Sequence, residues 1–287
     1  MSAEAFTLHL INGVTFGALL FLLASGFTLI FGLMRITNLS HGAFYLVGGY
    51  LGLTILLGTG SFWLATLGAG LGVGAMGLIV ERGLLERVRG QVLPEVLLTL
   101  GIALVLGDLS LAIWGGDPQT IRVPGRLGES IVLFGLTYPL FRLFVALMAV
   151  AIGLVLWYIQ ERTRLGAIIR AGVDDREMVD AIGIDIRVVF NRVFGLGAFL
   201  AGLAGLLGGA FLALYPGADF EILLLAVVVV IIGGPGSLPG AVIGSLLVGL
   251  VDAFAKALVP DLLYFTIFAP MVIILAWRPY GLLGRAA

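Results

Sequence analysis

Apolar residues fall in long runs along this chain, and the polar ones are gathered into the gaps between them. The runs cover residues 6–33, 41–57, 62–80, 94–114, 140–159, 193–214, 222–232, 241–256 and 263–277. A helix rises 1.5 Å per residue and a bilayer core is ~30 Å thick, so about 20 apolar residues cross it. The seventh run is too short, at ~16 Å of helix. Gly233-Gly234-Pro235-Gly236-Ser237-Leu238-Pro239-Gly240 follows it, a stretch no regular helix tolerates. A broken or re-entrant element is expected there, because loose backbone at membrane depth needs protein or a water-filled cavity around it. The pattern predicts an all-α polytopic membrane protein of about eight or nine transmembrane or re-entrant helices, in one domain over residues 1–287.

Two polar gaps are long, at 115–138 and 161–191. With nine segments, Arg35, the 82–89 loop, the 162–192 loop and Arg278 with Arg285 share one side and carry 12 of the 16 Lys and Arg residues. The basic side is cytoplasmic. That places the N-terminus and the 115–138 loop outside, the 161–191 loop and the C-terminus inside. A re-entrant seventh element would move one terminus. In the outer loop, 119–123 and 131–134 read as short strands around turns.

Composition sharpens the picture. The chain is 60% hydrophobic and 11% charged, where a soluble domain carries about 25% charged residues. Glycine stands at 43 of 287 positions. It weakens a soluble helix by about 1 kcal/mol, yet lets membrane helices approach closely. The runs 68–74 and 202–209 therefore suit a tightly packed transporter core. The absence of cysteine excludes disulfides and thiolate metal sites, and His9 with His41 cannot build a zinc site alone. A net charge of −1 gives no reason to expect nucleic acid. The first run begins near Phe6 with no basic leader or cleavage site, which reads as a retained span.

The inner loop holds the most informative local pattern. Asp174 stands three residues before Glu177, a capping-box start, and Gly183 follows as a helix-ending glycine. The helix so bracketed has about eight residues over ~12 Å, with Met178, Val179 and Ile182 on one side. Such a helix does not persist alone in water. Either it lies on lipid headgroups, or it presses into a partner protein.

Several polar groups sit near or inside spans. Asn38, Ser40 and His41 open a glycine-thinned span. They either frame a solute path with a helix N-terminus or cap the second helix at the inner interface, where the topology puts them. Asp108 and Asp252 each need a partner, a cavity or another subunit, since Asp at a span centre costs about 2.5–3.5 kcal/mol. Asp108 reads either as a solute contact or as a structural bond near an aromatic belt marked by Trp114. Asp252, four residues before Lys256, reads as structural. The 233–240 break either lines a binding site or forms a passive tight turn. Outside, Arg122, Arg126 and Glu129 either dock a delivery protein or are simply solvated.

Three segments carry a resemblance. Thr163-Arg164-Leu165-Gly166-Ala167-Ile168-Ile169-Arg170-Ala171, then Asp174-Asp175 and Ala181-Ile182-Gly183-Ile184, look like the cytoplasmic coupling loop of the branched-chain amino-acid ABC permease family. Asn12-Gly13-Val14-Thr15-Phe16-Gly17 and Asn38-Leu39-Ser40-His41-Gly42 resemble its opening spans, closer to the first of two sister permeases. The 233–241 stretch is similar to its glycine-rich break. These matches lie in register over roughly residues 12–284. The resemblance implies an ABC-importer permease fold in a bacterial inner membrane, with a sister permease as pseudo-twofold heterodimer partner, two ATPase subunits and a periplasmic solute-binding protein. It implies ATPase coupling through Arg164, Gly166, Arg170, Asp174, Asp175, Glu177, Met178, Ile182, Gly183 and Ile184. Path candidates are Asn12, Thr15, Asn38, His41, Tyr45, Asp108, Gly233, Gly234, Gly236 and Ser237.

No phosphate-binding loop is present, so ATP and Mg are expected on partner subunits, with no cofactor, no metal site and no catalytic residue in this chain. Membrane lipid is the other expected partner. An ion-coupled secondary transporter is the alternative, with Asp108 and Asp252 as its relay. A channel would show a repeated polar filter, and an intramembrane hydrolase would show H-E-x-x-H or G-x-S-x-G; the sequence has none of these.

Overall fold

The first apolar run folds as one helix, α1 (Ala3–Met34), whose 32 residues span ~48 Å. After it come α2 (His41–Thr59) and α3 (Phe62–Val80), which runs through a π-helical turn (Glu81–Leu85) into the short α4 (Glu86–Val88). Then follow α5 (Val92–Trp114), strands β1 (Ser130–Leu133) and β2 (Leu136–Pro139), α6 (Leu140–Arg162), α7 (Arg164–Asp174) and α8 (Arg176–Ala181). The chain ends with α9 (Ile186–Phe211), α10 (Ala218–Gly233), α11 (Leu238–Leu258) and α12 (Leu263–Trp277). The computed structural model describes residues 2–34, 37–133, 135–174, 176–181 and 183–284, with backbone alone at 173, 174, 176, 177 and 180.

Among the described residues, eight helices are long and apolar enough to cross a membrane. The architecture is all-α and polytopic. α10 is short for a span, with 16 residues and ~24 Å of rise, and it starts four residues before the expected run. α1 and α9 form a buried hub, whereas α5 and α12 keep most of their apolar surface open. Small residues set the hub's spacing. α2 crosses α9 where Gly48 meets Gly202 and the Tyr45 carbonyl meets Gly205, and Gly17 of α1 packs on Gly249 of α11.

In the outer loop, β1 and β2 pair antiparallel with Ile131 opposite Tyr138, so the expected 131–134 strand falls on β1. The 119–123 segment is not a strand; Gln119 makes a single bridge with Leu214. Its hydrogen-bonding partner is the end of the α9 connection, which leaves no room for a second ladder.

Two local expectations are corrected. The first concerns depth. The His41 ring bonds the Leu23 carbonyl through Nε2 at 3.0 Å, and Leu23 lies eleven residues, ~16 Å, before the end of α1. α2 therefore begins inside the bilayer, not at the inner interface. Asn38, Ser40 and His41 are fully buried. Ser40 makes no side-chain cap; its N–H and hydroxyl both donate to Asn38 Oδ1, at 3.1 and 2.6 Å. Gly26, packed against Gly197 of α9, leaves the room that the imidazole occupies.

The second concerns the inner loop. Asp174 ends α7 rather than starting a helix. The 164–174 segment is itself amphipathic: Leu165, Ile168 and Ile169 pack on the core, and Gly172 lies against Ile186 and Leu33. α8 then closes as expected, with Gly183 at φ +84° and the Ile184 N–H donating to the Val179 carbonyl at 3.2 Å, the pattern of a glycine C-cap. Val179 is buried while Met178 is 60% exposed, so they do not share a face. Asp175 and Ile182 lie outside the described residues, as do Arg35, Phe134, Arg285 and the side chains of Asp174 and Glu177.

Candidate functional site

The start of α10 organises the polar interior. Gly217 takes φ +98° at the N-cap position, a conformation that favours glycine. Asp219 and Glu221 fill the first turn, where the helix dipole favours negative charge. Asp219 is buried at 3% exposure. Gly42, in the first turn of α2, lies so close that any side chain there would strike the Asp219 carbonyl and Leu223. Two helix starts thus meet within the bilayer, near the level of Gly26.

α5 forms the facing wall. Ala103, Leu104, Gly107, Asp108 and Leu111 look across a cavity of about 130 Å³ at Pro216, Gly217, Asp219 and Phe220. A Cβ on Gly107 would sit 3.7 Å from Asp219 Oδ2. Asp108 is exposed on its helix, and among the described residues no salt bridge reaches it. A carboxylate turned to lipid at a span centre costs about 2.5–3.5 kcal/mol, so this face of α5 belongs against a cavity or another chain. Trp114 is the last residue of α5. It stacks on Tyr50 with ring centroids 5.1 Å apart and donates from Nε1 to Thr54 at 2.8 Å, so two groups of α2 hold it inward.

The other sequence candidates scatter. Asn12 and Thr15 sit toward the outer end of α1: Thr15 shares a 2.8 Å bond with the Tyr138 hydroxyl, and Asn12 Oδ1 accepts from Tyr138 and Arg142. Tyr45 packs its ring and hydroxyl on Gly208. Gly233, Gly234, Gly236 and Ser237 form a closed turn at the inner end of α1. The Ile232 and Gly233 carbonyls accept the N–H groups of Leu282 and Leu283, at 2.8 and 3.0 Å. Gly236 donates to Thr28 Oγ1 at 3.1 Å and lies against Gly32. The last carbonyls of α10, ahead of the prolines, therefore go to the C-terminal segment. Asp252 pairs with Lys256 at 2.8 Å, the structural reading. On the inner loop, Arg164 is exposed, Gly166 is buried against the Gln160 carbonyl, and Arg170 donates to that same carbonyl. Gly183 is exposed and Ile184 half-buried.

Of the ten path candidates, only Asp108 lines the cavity. Sequence reasoning passed over Asp219 and the 216–220 stretch because the apolar run starts at Ile222. A signal was available: Pro216-Gly217, then Asp219 and Glu221, is an acidic first turn after a breaker.

Among the described residues, eight bilayer-length helices around a cavity that two carboxylates line mark a polytopic membrane protein of the kind that moves solutes. Residues 9–276 match the family model described as the permease component of branched-chain amino acid transport systems. The chain belongs to that family. It is 31% identical to the high-affinity branched-chain amino acid transport system permease protein BraD of Pseudomonas aeruginosa, over 96% of this chain and 95% of the relative. It is 27% identical to the corresponding permease protein LivH of Escherichia coli, over 98% and 96%. It is 28% identical to the probable LivH permease of Methanocaldococcus jannaschii, over 95% and 91%. No solved structure matches it. The chain is a multi-pass inner-membrane transport subunit rather than an enzyme, working within an ABC transporter; the ion-coupled alternative has no support from this family.

Proposed function

We propose that this chain forms one side of the path by which an ATP-driven importer carries branched-chain amino acids, and that Asp108 and Asp219 receive the solute's ammonium. The observation that carries the reading is the exposed Asp108 on an apolar span, facing buried Asp219 across a small cavity. Leu104, Leu111 and Phe220 in the same wall offer apolar surface to an aliphatic side chain. A sister permease completes the path across the exposed face of α5. Two ATPases, which bind ATP and Mg, press on α7 and α8, and an external solute-binding protein delivers the amino acid.

A charge-assisted hydrogen bond contributes about 1.5–3 kcal/mol, so losing one should weaken recognition about tenfold or more. In proteoliposomes holding the complete transporter, Asp108→Asn should raise the KM for leucine uptake by that factor. Leucinamide, which keeps the ammonium, should compete with leucine, and 4-methylpentanamide, which has neither ammonium nor carboxylate, should not. Unchanged KM in both Asp108→Asn and Asp219→Asn would remove the ammonium assignment.

The inner loop supports the coupling half of the proposal. α7 is fastened to α1, α6 and α9, and Val179 anchors α8, which leaves Met178 outward as an apolar contact. Met178→Glu tests that contact. It should lower leucine uptake at least about fivefold, the scale of a ~1 kcal/mol contact at an interface, while ATP hydrolysis by the assembled transporter persists. Uptake and hydrolysis both at wild-type rates would dismiss this docking contact.

A further inference from the structure

A second cavity lies on the outer face, away from the Asp108 wall. It encloses about 460 Å³, within the range of small-molecule pockets. Its rim is the 122–128 loop, the start of α6 and the last turn of α9. Arg122 and Arg142 line it, and no carboxylate does. Val123, Leu127, Phe141 and Phe211 supply the apolar wall.

Arg142 is held in place. Its guanidinium donates to Asn12 Oδ1 at 2.8 Å and lies 4.5 Å over the Phe211 ring. The Asn12 oxygen is itself fixed by the Tyr138 hydroxyl at 3.0 Å, which is tied in turn to Thr15. A guanidinium has five N–H donors, and among the described residues Arg142 uses one of them. Neither Arg122 nor Arg142 forms an ion pair there. The neighbouring acids are otherwise placed: Asp252 pairs with Lys256, and Glu129 and Asp117 are exposed on the loop. A half-buried cation that served packing alone would be expected to carry its own acid. This one is oriented, apolar-flanked and open. It is bonded to α1, and a polar loop rims the cavity, so it faces the aqueous side rather than lipid.

We propose that this pocket is a binding site for a small carboxylate with an aliphatic body, Arg142 and Arg122 taking the carboxylate and the Phe211 side taking the hydrocarbon. It deepens the importer reading, on which its use as an outer waiting site for the amino acid rests. The binding itself does not depend on that reading. Arg pairs bidentately with carboxylates, and the fixed geometry lowers the ordering cost of binding.

The test uses the full chain in phosphatidylcholine nanodiscs and tritiated 4-methylpentanoate, a probe with no ammonium. Saturable binding is expected, with 4-methylpentanamide failing to compete. Arg142→Gln and Arg122→Gln should each weaken Kd about tenfold, and Arg142→Lys should retain part of the affinity. Arg122 is an exposed loop residue, so its variant reports on binding even where Arg142→Gln unfolds. No saturable binding to the wild type, equal binding of the amide, or unaltered Kd in both Gln variants would overturn the site. Because the probe carries no ammonium, failure here leaves the Asp108 uptake prediction standing. An unchanged uptake KM in Asp108→Asn leaves this site standing in turn.

Discussion

Gly205→Ala should destabilise the chain by at least ~2 kcal/mol, at the upper part of the range for overpacked cores. Its Cβ would strike the Tyr45 carbonyl, with the Gly49 nitrogen 2.8 Å away. Those atoms are backbone in the middle of α2, so no side chain can turn aside to make room. The two helices must separate, and Gly48 against Gly202 must part with them. In a bilayer, association relies on close packing rather than on a hydrophobic drive, so a separation of this kind is costly. Gly101→Ala is the contrast: it lies within α5, and nothing stands within 4 Å of the position. There the change should stabilise by up to ~1 kcal/mol through helix propensity alone. Unfolding titrations in mixed micelles would read both. Equal midpoints for the two variants would mean that glycine content here reflects propensity and not contact.

That contrast also marks what the sequence reveals. A span is a property of one segment, so hydropathy located each long helix to within a few residues, save α9, whose inner end carries Arg187, Asn191 and Arg192 and so reads as loop. Depth is a property of pairs. Nothing in Asn38-Leu39-Ser40-His41 says that the chain turns back along α1 until His41 reaches Leu23; that depends on Gly26, on another helix, making room for the ring. The partners of Trp114 follow from pairing in the same way: Tyr50 and Thr54 lie on another helix and meet it only once α2 packs against α5. The 233–240 break illustrates the remaining ambiguity. Proline removes donors in either reading, and only the C-terminal segment, some forty residues on, decides that the carbonyls are taken by Leu282 and Leu283. The cavity carboxylate Asp219 belongs to a half-length helix, which a search for bilayer-length runs trims at its polar end.

Glu81→Ala should cost ~3–5 kcal/mol, the range for removing one partner of a buried pair. Glu81 is 1% exposed and opens the π-helical turn that ends α3. Its carboxylate takes Arg89 on one oxygen and the Asn191 amide on the other, at 2.9 Å. The same amide donates to the Leu78 carbonyl at 2.9 Å, and Arg89 lies 4.7 Å over the Phe190 ring. Removing the carboxylate strands a guanidinium that is 15% exposed and frees the first turns of α9 from α3. Glu81→Ala with Arg89→Met should recover part of the loss, since the uncompensated cation goes with it. Glu86→Ala is the control: its pair with Arg187 spans 3.6 Å, with Arg187 largely exposed and Glu86 half-buried, and one solvated partner keeps such a pair at about 0–1 kcal/mol. A Glu81→Ala loss no larger than that of Glu86→Ala would sink the idea of a buried latch. The mechanical consequence follows from chain order. α9 starts five residues after α8 ends, so under the proposed coupling Asn191 is one point, beside the α7 contacts with α1 and α6, where a push on the short inner helices would enter the long ones. Through Glu81 and Arg89 that push is shared with α3 and with the connection into α5, the helix that carries Asp108.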